Sequence, residues 1–264
     1  MISIKSRREF AKMQRAGATV AAIHQAVREK AAPGVSLLEL EVISARIIEE
    51  HGCTSSFLNY LGSYPATLCL CPNDVIVHGI PSDYRLEEGD VLSVDAGAIF
   101  EGFHGDAAFT MGIGEVSNEA ERLISVTEQA LWAGIKQVQK GNRLGDIGAA
   151  VAEVGSLYGY GVVEEYVGHG IGRQMHEEPQ VPNYGEPGSG LKLKQGMALC
   201  IEPMFNIGGR HTKVDPDGWT VRTADGTLSA HWEHTVAITP DGPMVFTAST
   251  EPLPVQFEEA QTRG

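Results

Sequence analysis

Five residues able to bind a metal are scattered along this chain: Asp95, Asp106, His169, Glu202 and Glu233. Each sits in a short apolar or glycine-rich setting where a charge is unwelcome: SVDAG, HGDAA, VGHGIG, CIEPM and HWEHT. A carboxylate in a buried strand is costly unless something neutralises it. Two divalent ions sharing these ligands would do so. Hard oxygen donors with one imidazole suit Mn, Fe, Co or Zn, and a paired-metal site is fitted to hydrolysis.

The elements that must carry these residues are partly readable. Phe100 and Phe103 flank Glu101-Gly102, a two-residue hairpin turn. In that register Asp95 faces Ala108 and Asp106 faces Gly97. Both acids then share one face as diagonal neighbours, on the order of 7–8 Å apart. The other face carries Val94, Phe100, Phe103 and Phe109 as core. Taken alone, a DAG or GDA motif reads as acids on a solvated sheet face. Glycines on both sides of His169 allow close backbone approach, but Gly168, Gly170 and Gly172 miss the spacing of a dinucleotide loop. Glu202 ends an apolar run just before a proline, hence at a strand end. Glu233 alternates with Trp232, His234, Val236 and Ile238 on the opposite face.

The chain reads as one unit used twice. Residues 34–52 match 141–159 at an offset of 107, and the same offset carries RLEEGDVLSVD onto KLKQGMALCIE, so that Asp95 meets Glu202. Asp106 and Glu233, 127 apart, then form a second pair, with about 20 extra residues in the second half around 208–227. Ser6 with Glu9 and Ser36 with Glu39 predict capping boxes at two helix starts. Asn118 with Glu121 opens a third helix, and a fourth follows Gly141. Gly52 and Gly159 end the paired helices. Strands are expected over 66–114 and 161–248. Helices, then strands, twice over, make an α+β fold with antiparallel sheet. One catalytic domain is expected over 1–248, its halves about 1–115 and 116–248, followed by a loosely held tail over 249–264.

The chain has 264 residues and a formal charge of −14. Two dications would not reverse that sign, so nucleic acid is not an expected partner. No apolar run has the length of a membrane helix, and the N-terminus lacks the apolar stretch of a secretory signal. Cys53, Cys69, Cys71 and Cys200 form no CxxC and read as reduced thiols of a cytoplasmic protein. Cys69 and Cys71 are expected on opposite faces of a strand.

Taken together, NDVIVHGIP, VDAGAIFEGFHGDAA, GHGIGRQMHEEP, IEPM and SAHWEHT fall in the order and approximate spacing of a known family. The chain resembles the type I methionine aminopeptidases of the bacterial kind, which have the duplicated pita-bread fold with an internal pseudo-twofold and helices packed on one face of the sheet. The resemblance runs from about residue 2 to 247. It implies that Asp95, Asp106, His169, Glu202 and Glu233 bind two metal ions, with Asp106 and Glu233 bridging. It implies that a metal-activated water attacks the scissile carbonyl and that Glu202 shuttles the proton. His176 would hydrogen-bond the carbonyl oxygen, and His78 would contact the scissile amide or the residue after methionine. Tyr64, Cys69, Trp219 and Met175 would line the methionine pocket. Met175 stands where an aromatic is common, Leu58 and Leu61 where Cys and Tyr are expected, and His231-Trp232 is an unusual pair before Glu233.

The implied task is removing initiator methionine from nascent proteins whose second residue is small. It implies work near the ribosome exit, although nothing in the sequence marks a ribosome-binding surface. A monomer is the default expectation. Two other readings remain at this stage. Proline-directed aminopeptidases share the fold but usually carry a large extra N-terminal domain, whereas this chain opens on the catalytic helices. A metal-free binding relative would have lost ligands, whereas all five ligand types stand here.

Overall fold

Serine followed three residues later by glutamate opens the first two helices, as the sequence predicts. In the computed structural model, which describes residues 2–248, Ser6 caps α1 (Arg7–Lys30) and Ser36 caps α2 (Leu37–Glu50), both in complete capping boxes. Each box satisfies amide groups that the helix itself leaves unpaired, stabilising by about 1 kcal/mol. The third helix, α3 (Asn118–Lys136), is capped by Ser117, one residue before the expected Asn118; the Ser117 hydroxyl accepts from the Ala120 amide. The fourth, α4 (Leu144–Tyr158), ends at Gly159 in the left-handed conformation, φ 71°. The expected tail over 249–264 lies outside the described residues.

The two halves repeat one hydrogen-bond pattern. Gly34 N–H donates to Leu86 O and Gly141 N–H to Leu193 O; Leu37 N–H donates to Tyr84 O and Leu144 N–H to Leu191 O. Isolated bridges join Ser36 to Arg85 and Arg143 to Lys192. Every one of these pairs keeps the 107 offset. It changes on the following strands: Ile113 bonds Asp90 as Ile238 bonds Met197, and Ile113 and Ile238 are 125 apart. Asp106 and Glu233 therefore share a face but sit one pleat out of strict register. The twofold relation between them is approximate.

A nine-stranded sheet, antiparallel at every pairing, spans the molecule. Its centre runs, in spatial order, Val91–Phe100, Phe103–Gly112, Glu233–Thr239, Ala198–Ile201 and Gly168–Gly170. Phe100 pairs with Phe103 across the Glu101-Gly102 turn, Asp95 with Ala108, and Gly97 with Asp106, the register read from the sequence. Alternation then sorts the side chains. Val94, Ala96, Phe109, Leu199, Ile201, Val236 and Ile238 form the main core with Val20, Ile23 and Val27 of α1 and Leu131 and Ile135 of α3. The five candidate ligands take the other side. Phe100 is only half-buried, with the Arg15 guanidinium 5.4 Å from its ring centre. Cys69 pairs with Asp95 and Cys71 with Ser93, so both thiols share the site-facing side. The expectation of opposite faces fails because residues two apart in a strand return to the same face.

Helix α1 lies close on the hairpin because two glycines meet there. A Cβ on Gly105 would stand 2.7 Å from Gly17 N and 3.0 Å from Gly17 Cα. The backbone of α1 thus rests on the strand one residue before Asp106.

The extra stretch in the second half has its own job. Thr212–Val214 and Val221–Thr223 form a hairpin that pairs with Val75–Val77. Its turn carries Trp219, whose amide bonds Asp217 Oδ1 at 2.8 Å.

Candidate active site

Each of the five central strands delivers one candidate ligand, so residues up to 138 positions apart in sequence converge on one side of the sheet. Asp95, Asp106 and Glu233 stand within their strands; His169 lies in the short Gly168–Gly170 strand, and Glu202 follows directly on Ile201. His169 Nε2 is 3.8 Å from Asp106 Oδ2 and 3.6 Å from Glu202 Oε1. His169 Nδ1 lies 2.9 Å from Gly170 O. A carbonyl can only accept, so Nδ1 carries the proton and the Nε2 lone pair faces the carboxylates. Thr235 pins Asp106 at its backbone: its hydroxyl donates to Asp106 O and accepts from Asp106 N–H.

This cluster is electrostatically expensive as it stands. Burial, then the charges of Asp106 and Glu233, push the Asp95 carboxyl far above its ordinary range. Burial, then Asp106 and Glu202, do the same to Glu233, and burial with Asp106 and Asp95 to Glu202. Burial also raises Asp106 and lowers His169 to about 3, with His176 adding to the effect. Asp95 Oδ1, Asp106 Oδ1 and Glu233 Oε1 are buried without any hydrogen-bond partner. Orphaned carboxylate oxygens beside a bare imidazole nitrogen fit divalent cations: the ions would supply the missing partners and cancel the mutual repulsion.

The cluster lines a cavity of about 290 Å³, at the small end for a ligand pocket. Its apolar wall is Phe57, Tyr64, Cys69, Met175 and Trp219. The Tyr64 hydroxyl is held between Leu68 O and Gly79 O, at 2.9 and 3.0 Å, and its ring meets Trp219 edge-on at 5.1 Å. His78 has φ 60°, a strained backbone for a non-glycine residue, and its ring lies 6.3 Å from Trp219. Burial, then His176, lowers its pKa to about 4, so it is neutral. His176 stands at the mouth, its ring centre 4.2 Å from that of His169. Every candidate site residue named from the sequence therefore lines this one cavity.

The model of metallopeptidase family M24 matches residues 11–240. A methionine aminopeptidase of Clostridium perfringens is 46% identical over 247 residues, covering 94% of this chain and 99% of its own length. Methionine aminopeptidase 1 of Mycobacterium tuberculosis is 49% identical over 250 residues, covering 92% and 94%. The chain belongs to metallopeptidase family M24, among its methionine aminopeptidases. The crystal structure of the Thermotoga maritima methionine aminopeptidase superposes with a TM-score of 0.92 at 41% identity, over 94% of this chain and 99% of that one.

Within this methionine aminopeptidase framework, three residues at or beside the cavity, Tyr60, Cys200 and His231, bear polar or thiol groups to which the sequence assigned no role. Tyr60 and Leu61 both border the cavity; Leu61, where a Tyr was expected, is 78% exposed, while the Tyr60 hydroxyl reaches His176. Two tyrosines in FLNYLGSY were the available signal, but the turn geometry selects between neighbours. Cys200 lies with Asp106, His169 and Glu233 in one set of potential ligand atoms, all within 4.8 Å of one another. Its position two residues before Glu202 places it on the same face and could have revealed it. His231 is buried, its Nε2 without a hydrogen-bond partner and 4.0 Å from Glu202 Oε2.

Proposed function

We propose that this methionine aminopeptidase removes N-terminal initiator methionine from nascent proteins and peptides with a small second residue. One observation carries the reading: five ligand-type side chains from five adjacent strands converge on a small cavity that also has an apolar wall. Asp95, Asp106, His169, Glu202 and Glu233 would hold two divalent ions, Co, Mn, Fe or Zn. When bound, such ions supply Lewis acidity and make water a stronger acid near neutral pH.

The chain's own residues do the rest. Tyr64, Cys69, Met175 and Trp219 hold the methionine thioether, a soft group that packs well on aromatic rings and sulfur. His176 donates to the scissile carbonyl oxygen as negative charge develops there. His78, neutral and fixed on strained backbone, orients the scissile amide. Glu202 takes the proton shed by the attacking water and returns it to the leaving amine. The free cysteines suit a reducing cytoplasm, and the enzyme acts there as a monomer on chains leaving the ribosome. Among the described residues no helix is long and apolar enough to cross a membrane.

The test is one mass-spectrometric assay on metal-stripped protein resupplied with Mn, Co or Fe. The peptide pool holds Met-Ala-Ser, Met-Lys-Ser, Leu-Ala-Ser and Ala-Pro-Ser. Metal-dependent loss of methionine from Met-Ala-Ser alone is the expected result. Cleavage of Ala-Pro-Ser would place the enzyme in the proline-directed branch, and no cleavage with any metal would overturn the reading.

A further inference from the structure

Tyr60 and His176 are 116 residues apart in sequence, yet the Tyr60 hydroxyl lies 2.5 Å from His176 Nδ1. Their ring centres are 5.3 Å apart. Tyr60 is held between two residues in the left-handed region, Asn59 at φ 63° and Leu61 at φ 48°. Side-chain-bearing residues avoid that region, so two in three consecutive positions mark a strained turn. Backbone bonds hold it closed: Tyr60 N–H to Phe57 O, Gly62 N–H to Asn59 O, and Asn59 N–H to Tyr64 O. The strain is not repaid by burying Leu61, which borders the cavity and stays largely exposed. What the turn achieves is to present Tyr60 to His176.

That contact decides a chemical question. A neutral imidazole has one N–H, and the hydrogen bond made by one ring nitrogen sets the role of the other. The Tyr60 phenol can donate to a bare Nδ1 or accept from Nδ1–H, and the two cases leave the ring proton on opposite nitrogens. Only donation by the phenol makes Nδ1 the acceptor and puts the ring proton on Nε2, the nitrogen left to face a substrate.

We propose that Tyr60 is a positioning residue: its hydroxyl donates to His176 Nδ1 and fixes the imidazole as the Nε2–H tautomer, the form able to donate to the scissile carbonyl oxygen. This rests on the reading of His176 as the carbonyl donor given above. A ring free to populate the other tautomer would present a bare lone pair to that oxygen for part of the time. Tyr60→Phe removes the donor and leaves the ring in place.

The experiment has two arms. In ¹⁵N-histidine-labelled, metal-stripped protein, with His176 assigned by its loss in His176→Ala, the wild type should show a bare Nδ1 and a protonated Nε2. In Tyr60→Phe the two nitrogen shifts should move towards each other as the tautomers mix. In the metal-loaded enzyme, Tyr60→Phe should lower kcat for Met-Ala-Ser roughly 3–10-fold, the value of one hydrogen bond, with KM changed less than about twofold. The same substitution made in His176→Ala should cost nothing further. Unchanged nitrogen shifts, or a raised KM with intact kcat, would overturn the proposal and leave Tyr60 as cavity wall. Full turnover in His176→Ala would overturn the carbonyl-donor reading itself, a result distinguishable because the shifts of wild type and Tyr60→Phe would still differ.

Discussion

Replacing Glu233 by Gln should make the metal-stripped enzyme more stable, although it removes a proposed metal ligand. Glu233 is 2% exposed, its Oε1 has no partner, and burial with Asp106 and Glu202 raises its pKa well above the ordinary value. A carboxyl whose folded pKa is raised above its unfolded value penalises folding as pH climbs. The penalty is absent below the unfolded pKa of about 4.3, grows at up to ~1.4 kcal/mol per pH unit, and levels off above the folded pKa. That gives ~1 kcal/mol at pH 5 and a ceiling of ~4 kcal/mol at pH 7.5, which structural relaxation reduces. Glutamine is neutral at both pH values and can donate its amide hydrogens to neighbouring carboxylates. Urea unfolding with a strong chelator present should therefore show Glu233→Gln exceeding wild type, with a gap that widens from pH 5 to pH 7.5. Added Mn or Co should reverse the order, since ions bound only to the folded state stabilise it by mass action. A stripped variant less stable than wild type at pH 7.5, or a gap independent of pH, would refute the electrostatic argument.

Glu202→Gln should keep the fold by circular dichroism and lose roughly 10²–10⁴-fold in kcat for Met-Ala-Ser, the usual worth of a positioned proton carrier; near-normal turnover would remove Glu202 from the chemistry. Gly105→Ala forces a Cβ to 2.7 Å from Gly17 N. Overpacking of that kind costs about 1–3 kcal/mol, and a domain of this size should lose about 2–4 °C in Tm per kcal/mol. An unchanged Tm would show that α1 can give way. Ser36→Ala removes the α2 cap, whose hydroxyl accepts from Glu39 N–H at 3.2 Å. It should cost about 1 kcal/mol in urea unfolding without changing kcat.

Much of the fold was legible because local rules and the wider pattern agree. Two capping boxes, the Glu101-Gly102 turn and the 107-residue repeat each reflect short-range geometry, and each reappears in the structure. The hairpin register followed from the period of a strand, so the shared face of Asp95 and Asp106 followed too. The misreadings are local in their causes. The α3 cap moved from Asn118 to Ser117 because adjacent polar residues compete for the same role. Cys69 and Cys71 share a face by the same alternation that was applied correctly to the two acids.

The sequence by itself determined which donor types are present, that the chain is duplicated, and that each acid sits where an unpaired charge would be penalised. Those are properties of composition and short-range period. Only the tertiary structure decided the company each residue keeps. Five strands, the first two a hairpin and the others far along the chain, lie side by side and put their ligand-type residues on one face. The offset slips from 107 to 125, so the twofold is inexact where Asp106 and Glu233 stand. The inserted hairpin brings Trp219 to the cavity. The strained turn at Asn59–Leu61 turns Tyr60, not its neighbour, towards His176. Strand order and turn direction are fixed by long-range packing of the whole core, and no local pattern in the chain encodes them.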